Sequence, residues 1–210
     1  MEVHNTDAKV ASFIRNETEI YRGNRIVLVH AGGAEEEITS VLNTHIAFRG
    51  KNTTIKIGDN ANLGRGTIQA GDEDNLEMIV GNDFITSVDF YFRVSDGHTI
   101  YDINSGRIVN KPLFGIHIGN HVWCGYNVTI LKDADIPNNC IIGSGALVAK
   151  AKFDENSIIA GIPAKVIQSG VNWDSRSISE YIRNLEKCDY SVVFAQFISG
   201  LSQSLCKPPN

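Results

Sequence analysis

The residues from 118 to 148 divide into hexads: Ile118-Gly-Asn-His-Val-Trp, Cys124-Gly-Tyr-Asn-Val-Thr, Ile130-Leu-Lys-Asp-Ala-Asp, Ile136-Pro-Asn-Asn-Cys-Ile, Ile142-Gly-Ser-Gly-Ala-Leu and then Val148. Ile118, Cys124, Ile130, Ile136, Ile142 and Val148 hold one apolar phase, with Gly119, Gly125 and Gly143 directly behind three of them. Val122, Val128, Ala134, Cys140 and Ala146 hold a second, mostly small phase. An α-helix repeats every 3.6 residues and a strand every two, so neither produces this beat. A parallel β-solenoid does: each hexad is one flat face of a triangular coil, with the large apolar residue inside and the small one near the corner.

Upstream the beat continues through Ile57-Gly58 and Leu63-Gly64, with Ala61 and Thr67 at the small phase. It breaks from Ala70 to Glu77, an acidic stretch holding Asp72, Glu73 and Asp74, and restarts at Val80-Gly81. Thr86 and Phe92 are later members, and Phe84 and Phe90 alternate with Val80, Thr86 and Phe92. Residues 1–50 show no clear beat and read as an irregular N-terminal lead-in with a Gly32-Gly33 turn. The solenoid domain is expected over residues 51–172, interrupted by a loop at 99–117. Within that loop Tyr101 to Gly106 reads as a turn, and Lys111-Pro112 cannot continue a central strand. A solenoid accommodates an excursion at a corner, and loops on a rigid scaffold are where binding and catalysis concentrate. After Val148 the beat weakens through Phe153 and Ile158-Ile159. Residues 173–210 form the last segment. Ser177-x-x-Glu180 is a capping box, and Ile178, Tyr181, Ile182 and Leu185 trace one helical face, expected to cap the open end of the coil. The end from Lys207 to Asn210 reads as frayed.

A chain of 210 residues holds one domain with a short extra element. Its 42% apolar and 20% charged content is that of a globular protein. A net charge of −5 argues against a nucleic-acid partner and leaves sugars and nucleotides open. The polar start Met1-Glu2-Val3-His4-Asn5 has no signal-peptide pattern, and Ile26-Val27-Leu28-Val29 is too short to cross a bilayer, so a cytoplasmic location without membrane insertion is expected. Cys124 and Cys140 fall on interior phases and read as small hydrophobes. Nothing around Cys188 or Cys206 suggests chemistry.

Four segments carry a resemblance: Ser95-Asp96-Gly97-His98 through Asp102; Ile118 to Gly125 followed by Val128 to Lys132; Ile141 to Ala146; and Ala160-Gly161-Ile162-Pro163-Ala164-Lys165-Val166. In this order and spacing the chain resembles the hexapeptide-repeat acyltransferase superfamily, nearest its bacterial capsule and lipopolysaccharide O-acetyltransferases. The resemblance implies an all-β fold, a single-stranded left-handed parallel β-helix with an extruded loop and a C-terminal capping helix. It also implies acetyl-CoA as acetyl donor, a saccharide acceptor (a surface polysaccharide or its precursor), no metal, and a homotrimer with active sites between chains.

Acetyl transfer to an alcohol requires removal of the hydroxyl proton, and a histidine has its pKa near working pH. His98 alone would read as a turn residue, but the family places its base in the matching Ser/Thr-Asp-x-His motif. Asp96 and Asp102 are the local carboxylates that could fix its tautomer. Trp123 precedes an interior phase, so it should face outward and pack on something. A neighbouring subunit is the plain possibility, and the family puts the matching tryptophan beside the acetyl thioester. Cys124 stands where the family usually has an aliphatic residue, and no nucleophile is implied because transfer is direct. His117 and His121 lie four apart with no third histidine on a matching coil, so a zinc site is not expected. Gly143, Ser144, Gly145 and Ala146 are small enough for pantetheine to reach the backbone and pair with its amides. Lys150, Lys152 and Lys165 are either solvated corner residues or contacts for the phosphates of coenzyme A. In the family Gly161, Pro163 and Lys165 belong to a motif near the adenine and phosphates. Rival readings keep the fold but change the acceptor to an amine or a small xenobiotic alcohol, or make the solenoid a non-catalytic binding module.

Overall fold

The computed structural model of the chain describes residues 2–4, 18–21, 24–28, 40–41 and 44–185. The Gly32-Gly33 turn, Cys188, Cys206 and the segment from Lys207 to Asn210 lie outside the described residues. The strands are β1 (Glu2–His4), β2 (Thr18–Tyr21), β3 (Asn24–Leu28), β4 (Ser40–Val41), β5 (Thr44–Ala47), β6 (Thr54–Ile57), β7 (Asn62–Leu63), β8 (Gly66–Gln69), β9 (Glu77–Val80) and β10 (Ile85–Thr86). They continue with β11 (Phe90–Arg93), β12 (Gly115–Ile118), β13 (Trp123–Cys124), β14 (Thr129–Leu131), β15 (Ala134–Ile136), β16 (Ile141–Ile142), β17 (Leu147–Val148), β18 (Ser157–Gly161) and β19 (Ala164–Ser169).

Every third strand lands in the same sheet. Face A holds β5-β8-β11-β14-β17, face B β3-β6-β9-β12-β15, and face C β4-β7-β10-β13-β16-β18, each paired in parallel. The six positions of the apolar phase and the five of the small phase are all buried. Phe90 and Phe92 pack with ring centroids 4.6 Å apart, and Gly66 lies where a Cβ would come within 2.4 Å of the Phe90 ring. The corners have a signature of their own. His121, Asn127, Asp133, Asn139 and Gly145, six residues apart, all have positive φ. Asn, Asp and Gly tolerate this left-handed turn best.

Three expectations change. The lead-in over residues 1–50 is not irregular throughout, because β3, β4 and β5 pair in parallel with β6, β7 and β8 as part of the same stack. Ile26 pairs with Ile55 across a much longer coil than three hexads, which hides the beat. Thr67 is only half-buried, and its neighbour Ile68 fills the interior instead, five residues after Leu63 rather than six. The loop does not run to residue 117: the stack resumes at Gly115, whose strand pairs with β9 and β15, so the excursion spans residues 94–114.

β19 folds back antiparallel on β18 and ends the pairing on face C. Contacts divide the chain into two compact units, Met1–Asn172 and Trp173–Asn210. In the second, residues 178–185 are helical, and the capping box forms as its sequence requires. The Ser177 N–H donates to Glu180 Oε2 at 3.0 Å, and the Glu180 N–H donates to Ser177 Oγ at 3.3 Å.

Candidate active site

The excursion leaves the stack at the corner between faces A and B. Val94 and Ser95 are still buried, and the Ser95 hydroxyl accepts the Asp72 N–H at 3.0 Å. Arg93 Nε donates to the Ser95 carbonyl at 2.9 Å, and a Cβ on Gly97 would lie 2.9 Å from the same guanidinium. A larger residue at 97 would displace the arginine. His98 follows, exposed to solvent.

Beyond it the chain forms a small hairpin in which Tyr101 bridges Ile108. Asp102 makes its hydrogen bonds locally. Its Oδ1 accepts the Ser105 N–H and hydroxyl, each at 2.8 Å, and the Asn104 N–H at 3.1 Å, an Asx turn at the hairpin tip. The Ser105 donors foremost hold this carboxyl below the usual aspartate range.

Asp96 sits at the root. Its Oδ2 accepts from the Asn110 side-chain amide at 2.9 Å and from the Lys132 ammonium. Partial burial pushes its pKa up, but the hydrogen bonds from Lys132 and Asn110 and the nearby charges of Lys132 and Arg93 outweigh it, and the net shift is downward. The Asn110 amide also donates to the His98 carbonyl at 2.8 Å and accepts the Ile100 N–H at 2.8 Å. Lys132, placed just after β14, donates to the Asn110 carbonyl as well. Next to it Asp133 accepts the N–H groups of Leu113 at 2.8 Å and Phe114 at 3.3 Å, fastening the return. Asn110, Lys132 and Asp133 were not singled out from sequence. Asp133 carried a signal, its place in the left-handed corner series, but nothing in the pattern pairs Lys132 with Asp96.

Because the folded-state pKa of Asp96 is lowered, the clamp contributes stability above the unfolded aspartate pKa and loses it only as pH falls through the lower, folded value. The Asn110 side-chain amide resonances should therefore titrate with a midpoint below that of an ordinary aspartate. A midpoint at or above it would contradict the clamp.

Trp123 faces outward, as expected, from β13 between Ile85 and Ile141, and is 42% exposed. In a three-sided coil, face C lies opposite the corner from which the His98 segment departs. Cys124 beside it is buried, and burial pushes its thiol pKa far above neutrality, so it is no nucleophile. His117 Nε2 lies 2.8 Å from Glu77 Oε1, and the ring stacks on Phe114 at 4.4 Å. His121 is one of the left-handed corner residues.

The corner from Gly143 to Ala146 sits beside β18. Three of its four N–H groups are committed within the chain. Gly143 donates to Ile159, Gly145 to Tyr126 and Ala146 to Gly143, at 2.9, 2.8 and 3.1 Å. The Ser144 hydroxyl accepts the Tyr126 N–H at 3.1 Å. No atom lies within 4 Å of where a Gly145 Cβ would stand. The Gly143 and Ala146 carbonyls already accept the Ala146 and Thr129 N–H groups, so a ligand bringing its own N–H donors, as the amides of pantetheine would, meets the Ser144 and Gly145 carbonyls. Lys150 and Lys165 are exposed, and Gly161 and Pro163 form the turn between β18 and β19, next along the same face.

The chain matches no protein-family model. It is 32% identical over 127 residues to a polysialic acid O-acetyltransferase of Escherichia coli O1:K1, covering 59% of this chain and 41% of that one. The chain thus spans less than half the length of that relative. A polysialic acid O-acetyltransferase of Neisseria meningitidis is 29% identical over 189 residues, 80% of each chain. Among solved structures, the polysialic acid O-acetyltransferase OatWY superposes with a TM-score of 0.54 at 24% identity, over 80% of this chain and 84% of that one. The likeness extends to the fold, a left-handed parallel β-helix. Among the described residues no helix is long and apolar enough to cross a membrane.

Proposed function

We propose that this chain is a hexapeptide-repeat acyltransferase that transfers an acetyl group from acetyl-CoA to a hydroxyl of a saccharide. Acetyl-CoA supplies an acyl carbon activated as a thioester. His98 takes the proton of the acceptor hydroxyl as that oxygen attacks, which lets the alcohol act as a nucleophile near neutral pH. Trp123 lines the acyl end. The Ser144 and Gly145 carbonyls and the Ser144 hydroxyl receive the pantetheine amides, and Lys150 and Lys165 meet the phosphates as point charges.

One observation carries the architecture of this site. His98 leaves the corner between faces A and B, while Trp123 projects from face C on the far side of the same coil. A site using both draws them from different chains, which supports a trimer with its active sites at the interfaces.

The test combines the two claims. Release of free thiol from acetyl-CoA should depend on a hydroxyl-bearing saccharide, not on an amino sugar lacking a free acceptor hydroxyl. The variants His98→Ala and Trp123→Ala should each be impaired, and activity should return when the two chains are refolded together. Amine-dependent release would replace the acceptor assignment. No recovery in mixed assemblies would place both residues in one chain's site.

A further inference from the structure

We propose that Lys132 is a positioning residue for the general base, acting from the coil after the excursion through Asn110 on the peptide that carries His98. The inference rests on the assignment of His98 as base.

The chain of contacts is short and each link is occupied. The Lys132 ammonium is largely buried, its side chain 18% exposed, and it donates to both Asp96 Oδ2 and the Asn110 carbonyl. Asn110 then uses its whole side-chain amide on the base segment: Nδ2 to Asp96 and to the His98 carbonyl, Oδ1 to the Ile100 N–H. Residues 96, 98 and 100 are thereby tied to one asparagine, and that asparagine to one lysine.

His98 has no regular strand of its own to hold it, since β11 ends at Arg93 and the stack resumes only at Gly115. Its backbone is held instead by a side-chain network, and that network terminates on rigid β14 through Lys132. A partly buried, charge-assisted pair is costly to break from one side, because the remaining carboxylate is left without its cation. Removing the lysine therefore loosens Asn110 and lets the His98 peptide shift. A general base must stand within hydrogen-bond reach of the proton it takes, and a displacement of about 1 Å is enough to cost about 10²-fold in rate. The coenzyme corner at residues 143–146 lies outside this network, with its hydrogen bonds running to Tyr126 and Ile159.

The decisive experiment compares Lys132→Met, Lys132→Arg, Asn110→Ala and His98→Ala with the unaltered chain, using thiol release from acetyl-CoA. Lys132→Met is expected to lower kcat by about 10–100-fold with KM for acetyl-CoA unchanged. Lys132→Arg should recover part of that loss, since it keeps the charge and the donors. Asn110→Ala should give the same kcat loss while leaving the Lys132–Asp96 pair in place, and it carries the test if Lys132→Met does not fold. Wild-type kcat in a folded Lys132→Met or Asn110→Ala chain, alongside a collapsed kcat in His98→Ala, overturns the positioning role alone. Full activity in His98→Ala instead overturns the assignment of the base.

Discussion

Replacing His98 by alanine should lower kcat by about 10²–10⁴-fold and leave folding untouched. The rate loss follows from the chemistry: without a base, the attacking alcohol keeps its proton while its oxygen takes on positive charge. Folding should survive because His98 is exposed, outside the buried stack, and its carbonyl rather than its ring is what Asn110 holds. Binding of coenzyme A, followed by calorimetry, should match that of the native chain, since the residues assigned to it lie between β16 and β19. A turnover within a few-fold of native would remove His98 from the mechanism.

Gly115→Ala should act on the other side of the ledger, destabilising the fold by about 3–5 kcal/mol. Gly115 has φ of +121°, a conformation poorly tolerated by alanine, and its added Cβ would stand 2.1 Å from the Glu77 carbonyl oxygen and 2.8 Å from Val94 Cγ1. Glu77 lies on β9 and Val94 is buried in the core, so neither can yield cheaply. Gly106→Ala is the matched control. It has φ of +70° with no atom within 4 Å of the added carbon, so only the backbone strain applies, about 1 kcal/mol. Urea midpoints for the two variants test the contrast, and equal small losses would show that the return of the excursion is free to shift.

The six-residue beat was legible because from residue 118 onward each coil is three clean hexads, so one register runs from Ile118 to Val148. It failed where coils lengthen. Ile26 and Ile55 are register partners, yet their distance in sequence matches no multiple of the beat. The left-handed corner residues His121, Asn127, Asp133 and Asn139 recur every six positions and form a second periodic signal in the hexads. His98 and Trp123 could be singled out because a motif and an outward phase marked them. Lys132 and Asn110 could not, since their pairing is made by a non-repetitive excursion folding back on the next coil. Asp102 is near His98 in sequence, and a local Asx turn engages its Oδ1, a contact that spacing alone does not reveal.

The excursion also says where this fold can diverge. Its root and return are pinned by Asp96, Asn110, Lys132 and Asp133, while Ile103, Ile108 and Val109 stand exposed beyond those pins. Mutations there fall on exposed side chains, so drift can rewrite the hairpin without weakening the scaffold or unseating the histidine. A lineage built on this plan would inherit its chemistry from the pins and acquire new acceptors from the tip.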